Sequence, residues 1–310
     1  MPSTRTRRRW RSIYDFSDFR EFLRLLPSNA GNITRSIHMT ENHLISLRGL
    51  ELIISYRGRS EERRNNLRGV LRHLNRTYSD YQVWLIEADA TPTFNWSEFG
   101  DPKIRHVFVH DTGPFPKARL VNLGALMAKS PIICMHDADM IANPFYFSAA
   151  LNALMDEDKS DVLCPFMRVL NVSGGLRESF IESGDFSQLA PFLDGEPPAD
   201  INTLYVSTPG AINLFRRTEF IRVGGLDPVF VGWGGEDDDL LLRAGRLGVR
   251  WHSFGDPHAA LFHLNHDSAS REQSFDEEDI ARNRQLAFRT GDVTIGELEA
   301  RAVELSKYFR

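Results

Sequence analysis

The sequence predicts an α/β fold, a mostly parallel twisted sheet with helices on both faces, within one large domain of residues 51–290. Strand-like and helix-like segments alternate between Glu51 and Met135, which is the pattern of βαβ units. One apolar strand, Ile132 to Met135, ends abruptly in polar and acidic residues. The composition agrees with an ordinary soluble globular protein, since 42% of the 310 residues are hydrophobic and 25% are charged.

Each predicted element follows from its own pattern of apolar residues. Short apolar runs with β character predict strands, and apolar residues spaced three or four apart predict helices. In chain order these are strand Glu51–Tyr56, helix Glu61–Leu74, strand Gln82–Glu87, strand Ile104–Val109, helix Lys117–Lys129, strand Ile132–Met135, helix Asp238–Leu247, strand Val249–Phe254 and helix Asp276–Phe288. A C-terminal helix, Glu297–Tyr308, belongs to an appendage of residues 291–310.

Two regions depart from this alternation. From Asn171 to Asn202 glycine and proline recur and the apolar residues keep no sustained period, so we expect a surface insertion. The N-terminus divides into a basic arm, residues 1–12, and a helical extension, residues 13–50, in which Ile13 to Leu26 has helical spacing.

The basic arm contrasts with the net charge of −5 of the whole chain. It contains Arg5, Arg7, Arg8, Arg9 and Arg11. We expect a flexible arm, with peripheral contact to anionic lipid or to an acidic partner as the alternative. No stretch approaches the ~20 apolar residues that cross a bilayer, and we expect no nucleic-acid partner.

The two cysteines, Cys134 and Cys164, lie in apolar runs and are predicted to be small core residues. A reducing cytoplasm fits this pattern best. The sequons at Asn32, Asn75, Asn95 and Asn171 are then expected to be accidental.

The most informative stretch is the acidic run that follows a glycine turn, Gly232-Trp233-Gly234-Gly235-Glu236-Asp237-Asp238-Asp239. The first turn of a helix has unpaired N–H groups and a positive dipole end, so it tolerates crowded carboxylates. The glycines allow close approach of a ligand to the backbone, and Trp233 offers a flat face for a sugar ring. An acidic helix cap is the ordinary interpretation. Four acids beside a Trp and a Gly-Gly pair favour a functional site.

A second acidic motif, Asp137-Ala138-Asp139, comes directly after the buried strand Ile132 to Met135 and His136. Open α/β sheets bind ligands at the carboxyl ends of their strands. Two carboxylates there are placed to hold a hard cation and, through it, a diphosphate. Such a pair alone is also typical of a plain turn. Downstream, His263 and His266 are three residues apart and could add imidazole ligands, which suits manganese.

Together these motifs resemble the metal-dependent GT-A glycosyltransferases, and within them the β-1,4-galactosyltransferases and bacterial relatives such as chondroitin-type polymerases. The resemblance runs from about Glu51 to about Arg289. Besides the acidic and histidine motifs, it includes Ser55-Tyr56-Arg57-Gly58-Arg59, Phe115-Pro116-Lys117-Ala118-Arg119-Leu120, Gly210-Ala211-Ile212 and Gly224-Gly225-Leu226-Asp227. It implies a Rossmann-like GT-A catalytic domain.

The resemblance also implies a role for each site residue. Asp139 and His266, with His263, would bind Mn²⁺ or Mg²⁺, and Asp237 would be the catalytic base of an inverting transfer. The UDP-sugar would be bound by Arg57, Arg59, Lys117, Asp137, Gly210, Trp233, Glu236 and Asp238. Galactose or N-acetylgalactosamine is the expected sugar, glucose is a further alternative, and the acceptor is a glycan or a protein. Small residues at Ser207 and Thr208 leave room for an N-acetyl group.

Three alternatives stay open on the sequence. The retaining polypeptide N-acetylgalactosaminyltransferases usually have Asn where this chain has Asp237. That difference favours inversion, and a retaining enzyme stays as one alternative. A metal-dependent phosphatase or nucleotide-sugar hydrolase would use the same acids with water. A non-catalytic nucleotide- or sugar-binding module is the third. The polar segment Asp267 to Gln273 is either a lid that folds over the bound donor or a fixed connector.

Overall fold

The computed structural model describes residues 44–156, 158–194, 199–206, 210–232, 234–266 and 277–309. Its strands are β1 Ile45–Ser46, β2 Leu50–Tyr56, β3 Tyr78–Ser79, β4 Gln82–Asp89, β5 Ile104–His110, β6 Ile132–Asp137, β7 Met140–Ala142, β8 Val162–Cys164, β9 Arg168–Val172, β10 Ile201–Val206, β11 Ile212–Arg216, β12 Trp251–Ser253 and β13 Ala260–Leu264. Its helices are α1 Glu61–Thr77, α2 Trp96–Phe99, α3 Lys117–Met127, α4 Pro144–Met155, α5 Gly174–Ser183, α6 Arg217–Arg222, α7 Glu236–Arg246, α8 Glu277–Asp292 and α9 Ile295–Ser306.

A seven-stranded sheet in the order β12-β8-β11-β6-β2-β4-β5 forms the centre of the molecule. The pairs β6-β2, β2-β4, β4-β5 and β12-β8 are parallel, and only β11 runs antiparallel to its two neighbours. The predicted α/β class with a mostly parallel sheet is therefore confirmed.

The centre of this sheet is buried because the middle strands are almost wholly apolar. Every residue of β2 is buried, as expected for a parallel strand covered on both faces. Helix α3 packs closely on β2, since a Cβ at Gly124 would lie 2.4 Å from Ile53 Cγ2. The same helix also holds the Gly224-Gly225-Leu226-Asp227 motif. The Asn122 amide accepts from the N–H of Leu226 and donates to its carbonyl.

A smaller sheet in the order β10-β9-β13-β7 adjoins the large one. The chain passes from β6 of the large sheet through the turn at residues 138–139 into β7 of the small sheet. Strand β13 pairs antiparallel with β7 and parallel with β9. This arrangement places the Asp-Ala-Asp turn beside the end of β13, which contains His263 and is followed by His266.

The region 171–202 is more regular than the sequence predicts. It contains helix α5, two 3₁₀ turns at Phe186–Gln188 and Ala190–Leu193, and the start of β10. Gly174 and Gly175 begin the helix instead of breaking it, and Gly174 takes a left-handed φ of 58°. Phe180 and Ile181 are buried in the core. The expectation of a loose surface insertion is therefore wrong for the described part of this region.

Other predicted elements end within a few residues of the observed ones. Helix α7 begins at Glu236, two residues earlier than predicted, and residues 45–46 and 50 belong to strands. The basic arm, the predicted helix Ile13 to Leu26, Ser207, Thr208 and the segment 267–276 lie outside the described residues. In the part of the chain that the structure describes, no helix combines the length and apolar character of a membrane span.

Candidate active site

A pocket opens at the carboxyl ends of β2 and β6, between α1, α3, α7 and the small sheet. This is the edge where open α/β sheets bind ligands. Of the predicted site residues, the pocket is lined by Arg57, Lys117, Asp137, Asp139, Glu236, His263 and His266. Residues from four separate sequence motifs therefore meet in one place.

Asp139, His263 and His266 form a compact cluster of metal-ligating atoms. Asp139 Oδ2 lies 3.3 Å from His266 Nε2 and 3.8 Å from His263 Nε2. One ligand atom from each residue lies within 4.8 Å of the others. Backbone pairing fixes the arrangement, because the Leu264 N–H donates to the Asp139 carbonyl.

A second cluster centres on Lys117. Its ammonium lies 2.9 Å from Glu236 Oε1, 3.0 Å from Asp237 Oδ2 and 3.3 Å from Asp137 Oδ1. Lys117 begins α3, Asp137 ends β6 and the other two begin α7, so one cation joins three elements. The lysine lies among carboxylates that would otherwise repel one another.

Burial and charge crowding shape the protonation of these groups. Burial tends to lower the pKa of Lys117, but the charges of Asp137, Asp237 and Glu236 outweigh it and raise the pKa well above its ordinary value. Burial and the neighbouring charges of Asp139 and Glu236 raise the pKa of Asp137 to about 6, although Lys117 opposes the shift. Burial likewise raises the pKa of Glu236. The site has more carboxylates than cations.

Asp139 differs from these acids because histidines face it. Burial tends to raise the pKa of its carboxyl group, but the hydrogen bond from His266 and the charges of His263 and His266 hold the pKa below its ordinary value. Asp139 is therefore ionised at neutral pH and available as an anionic ligand.

Gly210 and the start of α7 position Asp237. Gly210 has a φ of +123°, and a Cβ there would lie 3.0 Å from Asp237 Oδ2. Helix α7 is capped by Gly235, which has a left-handed φ of 87°. Any side chain at position 210 would therefore crowd the predicted base.

The four acids of α7 have different surroundings. Glu236 and Asp237 contact Lys117. Burial and the charges of Asp237 and Glu236 raise the pKa of Asp238 to about 6. Asp239 is fully buried and points away from the pocket, where it pairs with Arg243 at 3.0 Å and with Arg301 of α9 at 3.0 Å. Asp239 therefore ties α7 to the C-terminal helices.

The two arginines after β2 are placed differently from each other. Arg57 is buried, and its guanidinium donates to the carbonyls of Ala88, Gly113 and Asp111 and pairs with the Asp111 carboxylate. It thus fixes the loop that precedes α3. Arg59 is more exposed and lies 3.9 Å from Asp89 Oδ1, outside the residues that line the pocket. Trp233 lies outside the described residues.

Three polar pocket residues were not anticipated from the sequence. Arg63 and Asn66 reach the pocket from α1, and Tyr205 reaches it from β10. Asn66 also donates to the Leu264 carbonyl and accepts from Arg177, so it connects α1 to the end of β13. Arg63 and Asn66 lie one turn apart on helix α1, which follows strand β2. Their position just after a strand that ends at the predicted site is the sequence feature that could have indicated them.

Comparisons with known proteins find similarity to glycosyltransferases. Residues 192–267 match a family model described as the N-terminal domain of galactosyltransferase. A validoxylamine A glucosyltransferase of Streptomyces hygroscopicus subsp. jinggangensis (strain 5008) is 29% identical over 184 residues, which cover 50% of this chain and 39% of the relative. The enzyme of that name from subsp. limoneus is also 29% identical, over 36% of its length. The chain thus spans less than half the length of these relatives.

Structural similarity extends over more of the chain but is weaker. The catalytic domain of Drosophila beta1,4galactosyltransferase 7 in complex with xylobiose aligns with 78% of this chain and 81% of its own, at 19% identity and a TM-score of 0.44. A mutant of that enzyme in complex with manganese, UDP-Gal and xylobiose aligns at 17% identity with a TM-score of 0.45, over 78% of this chain and 80% of its own.

The family and relative matches show that the chain is similar to glycosyltransferases. The matched segment 192–267 is similar to the galactosyltransferase model, which agrees with the resemblance that the motifs indicate. This segment contains the acidic start of α7 and both histidines of the metal-ligating cluster.

Proposed function

We propose that the chain is a metal-dependent inverting glycosyltransferase that moves a hexose from a UDP-sugar to an acceptor hydroxyl. The observation that supports this most strongly is the pairing of two clusters at one pocket, where Asp237 contacts the lining residue Lys117 without lining the pocket itself. Asp139, His263 and His266 offer a cation site, while Lys117 gathers the acids that begin α7. A cation site next to a candidate general base suits transfer from a diphosphate leaving group.

The donor set fits a divalent ion such as Mn²⁺. Ligand atoms about 2.1 Å from an ion are about 3 to 3.5 Å from one another in octahedral or tetrahedral sites. The separations of 3.3 and 3.8 Å from Asp139 Oδ2 to the imidazoles are close to that spacing. A carboxylate with two imidazoles suits manganese and similar ions. When bound, such an ion would stabilise the negative charge of the departing diphosphate.

The residues on the opposite side of the pocket would handle the proton. Lys117 contacts Asp237 at Oδ2, and we assign Oδ1 to accept the proton of the acceptor hydroxyl. The hydroxyl oxygen then attacks the anomeric carbon as the bond to the diphosphate oxygen breaks, which inverts the configuration. Glu236 and Asp238 would hydrogen-bond sugar hydroxyls, and Asp137 would orient the nucleotide ribose.

The diphosphate needs cationic side chains as well as the ion. Arg57 already donates to three backbone carbonyls, and Lys117 contacts three carboxylates. Arg63 lines the pocket, and its charge contributes to the low pKa of Asp139. We therefore add Arg63, as a phosphate-binding residue, to Arg57, Arg59 and Lys117, which the sequence assigns to the UDP-sugar.

We also propose a donor sugar, an acceptor and a cellular compartment. Galactose or N-acetylgalactosamine is our first choice, and the similarity to glucosyltransferases keeps glucose as the alternative. The acceptor is a glycan or a protein. Cys134 and Cys164 are buried free thiols, which supports a reducing cytoplasm.

The decisive experiment incubates the purified chain and Mn²⁺ with UDP-galactose, UDP-N-acetylgalactosamine or UDP-glucose, with and without a panel of glycan acceptors. We expect release of UDP from one donor, faster with an acceptor, and a product of inverted anomeric configuration by NMR. A product of retained configuration would favour the retaining alternative. Turnover that no acceptor accelerates would favour a hydrolase, and binding without turnover would favour a non-catalytic module.

A further inference from the structure

We propose that Asn171 is a positioning residue that orients His263 toward the metal site. The inference rests on the proposed metal-dependent function and adds a residue to it. Asn171 lies on β9 and His263 lies beside it on β13, where the two are register partners in a parallel pair. The Asn171 Oδ1 atom is 2.7 Å from His263 Nδ1.

The contact fixes which imidazole nitrogen carries the proton. An amide oxygen can only accept a hydrogen bond, so His263 Nδ1 is the donor. The lone pair of the neutral ring then lies on Nε2, the nitrogen that faces Asp139 Oδ2 at 3.8 Å. Metal-binding histidines are commonly held in this way through their second ring nitrogen.

A neighbouring side chain orients the Asn171 amide. Asn202 of β10 is the register partner of Asn171 on the other side, and Asn171 Nδ2 donates to Asn202 Oδ1 at 3.4 Å. With the nitrogen directed to Asn202, the oxygen is directed to His263. Asn202, Asn171 and His263 therefore form a row across three strands, from the exposed edge of the small sheet to the cation site.

The burial of His263 favours a positioning function for its contact with the partly buried Asn171. His263 is only 3% exposed, so rotation of its ring would cost buried contacts. Asp139 directly precedes β7, and Met140 of β7 pairs with His263 of β13. The strand pairing places the His263 backbone, and the Asn171 oxygen sets the orientation and tautomer of its ring.

The test compares Asn171→Leu, which removes the acceptor at similar volume, with Asn171→Asp, which keeps an acceptor oxygen. Asn152→Leu on the exposed face of α4 is a control for the substitution itself. Mn²⁺ affinity of the metal-free full chain is measured by electron paramagnetic resonance, with thermal unfolding to check folding. We expect Asn171→Leu to weaken Mn²⁺ binding about 10- to 100-fold. Asn171→Asp and Asn152→Leu should bind like the unsubstituted protein.

A second readout does not depend on metal. Long-range ¹⁵N–¹H NMR spectra of the metal-free protein report the tautomer of each neutral histidine, and we expect His263 to be protonated at Nδ1. Protonation at Nε2, or equal Mn²⁺ affinity of the unsubstituted protein and Asn171→Leu, would overturn the inference. If the unsubstituted protein binds no Mn²⁺ with or without UDP, the proposed metal dependence fails, and Asn171 is then no more than a structural partner of His263.

Discussion

At the scale of single residues, Lys117 contacts one carboxylate oxygen of each of two neighbouring acids, Glu236 and Asp237. It holds Asp237 through Oδ2 at 3.0 Å and Glu236 through Oε1 at 2.9 Å. We expect Asp237→Asn to lower kcat about a hundredfold or more, because an amide of the same size cannot take up the proton. The Kd for UDP, measured by calorimetry, should stay near that of the unsubstituted protein.

Glu236→Gln is the matched control for this substitution, since Glu236 lies on the same helical turn and contacts the same lysine. We expect it to change KM for donor or acceptor more than kcat. If Asp237→Asn transfers the sugar at the normal rate, another residue is the catalytic base.

Asp238 should destabilise the folded protein at neutral pH. Burial and the charges of Asp237 and Glu236 raise its pKa from 3.8 to about 6, so the folded state binds more protons than the unfolded state between these values. Stability therefore falls as pH rises through this window. We expect Asp238→Asn to raise the free energy of unfolding on the order of 1 to 2 kcal/mol at pH 7, with little gain at pH 4.

The measurement is urea denaturation at several pH values, with the exposed Asp292→Asn as control. A gain that is equal at pH 4 and pH 7 would contradict the role of the raised pKa.

Arg63 and Arg59 can be compared as ligands of the diphosphate. Arg63 lines the pocket, whereas Arg59 lies outside the lining residues beside Asp89. Charge-assisted hydrogen bonds contribute about 1.5 to 3 kcal/mol, so Arg63→Ala should weaken UDP binding about 10- to 100-fold. Arg59→Ala should have the smaller effect in the same calorimetric titration. A larger effect of Arg59→Ala would favour Arg59, which the sequence assigns to the UDP-sugar, over Arg63 as the ligand of the diphosphate.

At the scale of elements, helix α7 connects the active site to the C-terminal helices. Asp239 pairs with Arg243 on α7 and Arg301 on α9, and Thr290 of α8 donates to it as well. Arg243 is fully buried. We expect Asp239→Ala to lower the free energy of unfolding by about 3 to 5 kcal/mol. The substitution removes the carboxylate that pairs with the buried guanidinium of Arg243 on the same helix. Chemical denaturation measures this loss.

The adjacent substitution Asp238→Asn is an internal control, because it should change stability in the opposite direction. A loss below about 1 kcal/mol for Asp239→Ala would contradict the structural role of this carboxylate, since most surface substitutions fall in that range.

The same helix marks the limit of prediction from sequence. The glycine turn and acidic run predict a helix start with functional carboxylates, and Glu236 and Asp237 do meet in the site. The sequence does not separate Asp239 from them, because successive residues rotate about 100° around a helix and only tertiary packing decides which face is buried. The prediction for residues 171–202 was wrong for a related reason, since glycines can begin a helix as well as interrupt one.

At the scale of the whole molecule, the large sheet was predictable and the small sheet was not. The strands from Glu51 to Met135 are apolar and follow one another along the chain, so their parallel pairing follows from alternation with helices. The small sheet joins β7, β9, β10 and β13, which are distant in sequence and short. Asn171 and Arg63 became visible as site residues only when these distant segments were brought together.

Metal binding should stabilise the whole fold, because the candidate cation site would join Asp139, in the turn between the two sheets, to His263 of the small sheet. Mn²⁺ at about 100 times its Kd should add about 2.7 kcal/mol to the free energy of unfolding. A chelator should abolish transfer and the rise in Tm, and added Mn²⁺ should restore both. Asp139→Asn is the control that should lose the Mn²⁺-dependent rise. Full activity in the chelator would reject the metal assignment.

The Asn202–Asn171–His263 row also bears on how the protein can be produced. Asn171 begins the sequon Asn171-Val172-Ser173, and its amide nitrogen is the atom to which an oligosaccharyltransferase attaches a glycan. In a secretory expression host, that glycan would have to fit at the half-buried junction of β9 and β10 and would displace the contact with Asn202. A bacterial host avoids the modification. In a eukaryotic host, Ser173→Ala removes the sequon, preserves Asn171, and loses only the hydroxyl's hydrogen bond to the Asp200 carbonyl.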